Sequence, residues 1–188
     1  KGFYHYRNMN NPDVYFNFNI QRLVQNYRAS FLQLVISSIN GANDKKVESI
    51  EILNNMENYF PSDMLPYNND KLELQVAQIY FMLGDENEYI KRLGIIENRD
   101  RVSNETLLNV GQMYLSELND YDKAYNIFYR LYEKDPTNIE YMYSTVQSLA
   151  RMDRIDDAVQ LLENWLIRYP NDSQIKGLLN SLKSQLNN

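Results

Sequence analysis

The chain has 188 residues, of which 44% are hydrophobic and 23% charged, with a net charge of -6 and a pI near 4.9. It has no cysteine and a single histidine, His5, which excludes disulfides, thiolate metal sites and a cysteine nucleophile. The acidic balance runs against nucleic-acid binding, which needs a basic footprint. No apolar run reaches the roughly 20 residues of a membrane-spanning helix, so the chain itself is expected to make no membrane contact.

The chain starts at Lys1 with neither an initiator methionine nor a signal peptide, and reads as a piece of a longer protein. Residues 1–19 alternate aromatic and polar positions (Phe3, Tyr4, Tyr6, Val14, Tyr15, Phe16, Phe18) around Asn11-Pro12. They predict an irregular segment packed on the first helix. Residues 20–69 predict a divergent helical hairpin: one helix over 20–40, a turn over 41–44, a second helix over 45–59, then the loop PSDMLPYNND.

From residue 70 the sequence repeats. DKAYNIFYRLYEKDP and DDAVQLLENWLIRYP stand 34 residues apart, with Ala124 and Ala158, Phe128 and Leu162, and Pro136 and Pro170 at matching places. The preceding helix repeats too, as Ala77 with Tyr80, Gly111 with Tyr114, and Val146 with Leu149. One extra residue falls in the turn SELND. Three units follow, at about 70–103, 104–138 and 139–172, and residues 173–188 form a capping helix. Ser103 or Asn104, Asp70 and Asp172 predict N-caps, Thr137 with Glu140 predicts a capping box, and Gly84-Asp85 and Met152-Asp153 mark internal turns.

A 34-residue helix–turn–helix with a small residue at position 8, Ala at 20, an aromatic or Leu at 24 and Pro at 32 resembles the tetratricopeptide repeat. The first unit departs from it, with Tyr89 in place of Ala and no closing Pro. The resemblance implies an all-α fold, a right-handed superhelix of antiparallel hairpins forming one cooperative domain. It also implies a concave groove for a protein or peptide, lined by Leu74, Gln78, Phe81, Leu108, Gln112, Leu115, Tyr143, Gln147 and Arg151. Position 9 is glutamine in every unit, and an amide can donate to and accept from a peptide backbone. The Lys and Asn set with which chaperone-binding members clamp a C-terminal carboxylate is missing.

No residue pattern supports catalysis, a cofactor or a metal. There is no phosphate-binding glycine loop and no calcium-loop spacing, and acidic pairs such as Asp156-Asp157 suit helix starts. Tyrosine is abundant, at 16 residues. Tyr125, Tyr129 and Tyr132 are expected around a core of Phe128 and Leu131, with rings partly buried and hydroxyls reaching water.

A second resemblance covers residues 4–95. Tyr6-Arg7, Asn11-Pro12, Val14-Tyr15, Arg22-Leu23, Asn26-Tyr27-Arg28, Phe31, Pro66-Tyr67 and Leu83-Gly84-Asp85 are similar to the soluble C-terminal region of bacterial multi-pass membrane proteins of the protein O-mannosyltransferase-like type. That resemblance implies a non-catalytic accessory domain outside the cytoplasm, whose parent is membrane-anchored and carries its catalytic residues upstream. The alternatives are a free-standing adaptor or assembly factor, cytoplasmic or periplasmic, and a carbohydrate-binding module using the tyrosines directly.

Overall fold

The computed structural model describes residues 6–40 and 45–186. Among the described residues the chain forms nine helices and no strand. They group into two compact units, Lys1–Asp100 and Arg101–Asn188. Phe3 and Tyr4 of the aromatic alternation, and the turn expected over 41–44, lie outside the described residues.

The first unit contains α1 (Phe18–Ile39), α2 (Lys46–Tyr59), α3 (Asp70–Leu83) and α4 (Glu86–Glu97), with α1 packed on α2 and α3 on α4. Helix α1 starts two residues before the expected position, because the Asn17 side chain accepts from the Ile20 N–H and caps it there. The aromatic segment ahead of it reaches Tyr6, whose ring lies 5.3 Å from Tyr27, 5.2 Å from Tyr59 and 4.9 Å from Phe60.

A buried arginine organises this unit. Arg28 Nη2 donates to the carbonyls of Phe60 (2.7 Å) and Leu65 (2.6 Å), and its guanidinium lies 4.0 Å from the centre of the Tyr67 ring. The loop after α2 is thereby stapled to α1. Burial pulls the Arg28 pKa below its ordinary value, partly offset by Tyr67, Glu57 and Glu73. Tyr67 Oη donates to Glu57 Oε1 (3.0 Å), and the same carboxylate oxygen pairs with Arg92 Nη2 (3.0 Å). Burial works against the Arg92 charge, but Glu57, Tyr67, Tyr80 and Glu88 together outweigh it and hold the guanidinium pKa above its ordinary value. Tyr89, the departure at position 20, is fully buried, with its ring 5.0 Å from Phe81.

The second unit contains α5 (Asn104–Ser116), α6 (Tyr121–Lys134), α7 (Ile139–Arg151), α8 (Ile155–Arg168) and α9 (Ser173–Leu186), each packed on the next. Ala124, Phe128 and Leu131 of α6 are buried as expected. Met142, Val146, Leu149, Ala158, Leu162, Trp165, Ile175, Leu179 and Leu182 form a core spanning α7 to α9. Trp165 is 5% exposed, and its Nε1 donates to Asp172 Oδ2 at 3.2 Å. Gly111 lies where α5 meets α6: a Cβ there would come within 2.9 Å of Phe128 Cζ.

The internal turns share one device. Each places a residue in the left-handed region: Gly84 (φ 82), Asn119 (φ 53) and Asp153 (φ 58). In the first and third turns the closing bond spans five residues, Asp85 N–H to Tyr80 and Arg154 N–H to Leu149. In the second it spans six, Asp120 N–H to Tyr114. That is where the extra residue of SELND is absorbed.

Two caps differ from expectation. Asn138, not Thr137, caps α7, accepting from the N–H groups of Glu140 and Tyr141, while the Thr137 hydroxyl donates to Asp135. Asn69, not Asp70, caps α3, and Asp70 instead pairs with Arg99. In both places a neighbouring charge or turn competes for the side chain that the pattern favoured. Ser103 caps α5, and the Asp172 carboxylate accepts from the Ile175 N–H at the start of α9.

Candidate interaction face

The residues expected to line a groove have different surroundings in the two units. In the first, Leu74 is 6% exposed and belongs to the core, whereas Gln78 is exposed on α3. Phe81 is 38% exposed, with one flank resting on Tyr89.

In the second unit, Leu108 and Gln112 stand four residues apart on α5, and Tyr143, Gln147 and Arg151 stand four apart on α7. Residues at that spacing share one helix face. The two helices are tied together by a hydrogen bond from Gln112 Nε2 to the buried Ser144 Oγ, next to Tyr143, at 3.3 Å. Leu108 and Gln112 are half-buried, Gln147 and Arg151 exposed. Tyr143 is half-buried because its ring packs on the core of Met142 and its neighbours. Leu115 is 5% exposed and faces inward.

The three position-9 glutamines therefore serve different ends. Gln112 links two helices, while Gln78 and Gln147 face solvent. Ser144 escaped the sequence reading, since a serine mid-helix carries no signal until a partner is placed opposite it.

A second concavity lies on the other side of α7. It is a cleft of about 300 Å³ bounded by α6, α7 and α8. Tyr125 and Tyr129 wall it, their rings stacked at 5.5 Å and 22°. The Arg154 guanidinium sits 5.2 Å from the Tyr125 ring centre and is held by Asp157, Nε to Oδ2 at 2.6 Å. The bond to Asp157 raises the Arg154 pKa, against a smaller opposing effect of desolvation. Tyr129 has its pKa raised, by partial desolvation and then by Glu133. The tyrosine spacing was visible in the sequence, but not that α8 would face it.

Among the described residues no group of three or more His, Cys, Asp or Glu side chains could hold a metal ion, and no helix is long and apolar enough to cross a membrane.

The tetratricopeptide repeat family profile matches residues 115–182. That segment carries the repeated turn, Ala and Pro positions of the second unit. No curated protein matches the chain. Among solved structures the chain is similar to MamA. One crystal form of MamA from AMB-1 gives a TM-score of 0.55 at 14% identity, covering 91% of this chain and 85% of that one. Another gives 0.51 at 16%, covering 88% and 90%. A MamA point mutant gives 0.54 at 15%, covering 88% and 84%. At such identities the likeness concerns fold alone. The chain has an all-α fold of tetratricopeptide-like helical hairpins closed by a terminal helix.

Proposed function

We propose that this chain is a non-catalytic scaffold that binds a protein or peptide along the α5–α7 face of its second unit. The carrying observation is the pair of stripes, Leu108 with Gln112 and Tyr143 with Gln147 and Arg151, on helices joined by the Gln112–Ser144 bond. Half-buried apolar groups beside exposed amides and one guanidinium suit an extended or helical peptide, which offers backbone groups and alternating side chains. The repeat architecture of the fold supports the same reading, since stacked hairpins present such faces.

Tyr143 is part of the core, so its removal would confuse binding with folding. Gln147 and Arg151 are exposed and serve better. A photo-crosslinking residue at position 147 is expected to capture a discrete partner in native cells, whereas one at Arg130, exposed on α6, should not. The Gln147→Glu, Arg151→Glu double variant should weaken that partner about tenfold, equivalent to about 1.4 kcal/mol, with an unchanged melting temperature. Equal capture from positions 130 and 147 would place the interaction elsewhere.

The finer reading, an extracytoplasmic accessory domain of a membrane glycosyltransferase-like protein, stands on the sequence resemblance over residues 4–95. Membrane and soluble fractions of native cells distinguish it from a free-standing adaptor. A large membrane-bound polypeptide containing this sequence supports the accessory domain. A soluble species near 22.4 kDa supports the adaptor.

A further inference from the structure

The cleft on the far side of α7 has the chemistry of a different ligand. Thr145 and Leu149 line it, whereas Gln147 and Arg151 lie two residues further along α7 in each case. Two residues are about 200° of helix rotation, so the cleft and the proposed peptide face lie on opposite sides of α7.

We propose that this cleft is a binding site for a neutral saccharide unit. Tyr129 offers the aromatic wall: it is 37% exposed, while the Tyr125 ring behind it is covered by Tyr129 at 5.5 Å and by the Arg154 guanidinium at 5.2 Å. The negative face of an aromatic ring attracts the positively polarised C–H edge of a sugar ring. Opposite stand Gln160 and Asn164 of α8, one helical turn apart. Among the described residues neither amide has a protein hydrogen-bond partner. Each amide can donate and accept at once, which matches the paired donor and acceptor character of vicinal hydroxyls.

The charge pattern narrows the class. Arg154 is paired with Asp157, so the site has no net positive charge to hold a phosphate or carboxylate. Its polar lining is a poor match for an apolar side chain. Its size, about 300 Å³, is at the small end of ligand pockets and suits one or two sugar rings.

The test is a titration of the full ¹⁵N-labelled chain with methyl glycosides of common hexoses and N-acetylhexosamines, followed by amide chemical shifts. Saturable shifts at millimolar concentration are expected around Tyr125, Tyr129, Gln160 and Asn164 for at least one glycoside. Tyr129→Phe should retain that binding, and Tyr129→Leu should weaken it about tenfold or more. Asn164→Leu, at an exposed position, should weaken it similarly while leaving the spectrum of the free protein folded. Gln147→Glu should leave it unchanged, which separates this site from the peptide face. No saturable shift with any glycoside overturns the proposal. So does binding that survives both Tyr129→Leu and Asn164→Leu, or shifts centred elsewhere.

Discussion

A single methyl group decides how closely α5 and α6 approach. Gly111 faces the fully buried Phe128 ring, and a Cβ there would lie within 2.9 Å of Phe128 Cζ. Gly111→Ala is therefore expected to destabilise the second unit by about 1–3 kcal/mol, the usual cost of overpacking a filled core. Gly94 and Gly177 sit in helices with nothing within 4 Å of such a Cβ. Alanine at either should stabilise by about 0.5–1 kcal/mol through helix propensity. Thermal melts of the three variants read this difference in sign, and a neutral Gly111→Ala would refute the packing account. That position 8 is small was legible in the repeat pattern. That it must be glycine in this unit was not, because the reason sits on α6, in a ring that the repeat makes aromatic or leucine alike. The cap shift from Thr137 to Asn138 was hidden for a similar reason, since Asp135 competes for the threonine hydroxyl.

At the scale of elements, periodicity and turn residues made both helices of each repeat legible in the sequence. The extra residue in SELND was placed in its turn by phase alone, and the lengthened closing bond to Tyr114 accounts for it. The network that joins the elements of the first unit was not visible. Arg28, Glu57 and Arg92 come from three helices and belong to no shared motif. It makes a further prediction. Burial first, then Glu57 and Glu88, push the Tyr80 hydroxyl up to about 12 from its ordinary 10.0, against the pull of Arg92. The folded state thus favours the neutral phenol. The corresponding stability is complete below pH 10.0, where even the unfolded chain keeps the phenol neutral, and is lost as pH rises toward 12. Denaturant unfolding across that interval should show a falling midpoint, and Tyr80→Phe should flatten part of the fall. Tyr67, raised further by burial and by Glu57, contributes to the remainder. A midpoint independent of pH between 10.0 and 12 would contradict the burial argument.

For the whole molecule, the grouping of helices divides the repeat array between its first and second repeats. The first 34-residue unit, 70–103, falls mostly in Lys1–Asp100, and the next two in Arg101–Asn188. Sequence phase could not reveal this, because it reports equivalence between repeats and not which neighbours share a core. The second unit has a core from α7 through α9 and its own closing helix. A fragment of residues 101–188 is therefore expected to melt cooperatively by circular dichroism and to keep most of its helical signal. A gradual, non-cooperative melt would show that its core needs the rest of the chain.

The chain's one tryptophan, Trp165, lies inside that core. The protein thus carries a built-in optical label for half of itself. Excitation at the red edge reports the surroundings of α8 and α9 and is blind to the loop stapled by Arg28. Emission from Trp165 and helicity from the whole backbone, recorded in one urea titration, become two clocks on one chain. Coincident curves describe a molecule that unfolds as one, and separated curves give the order in which its halves let go.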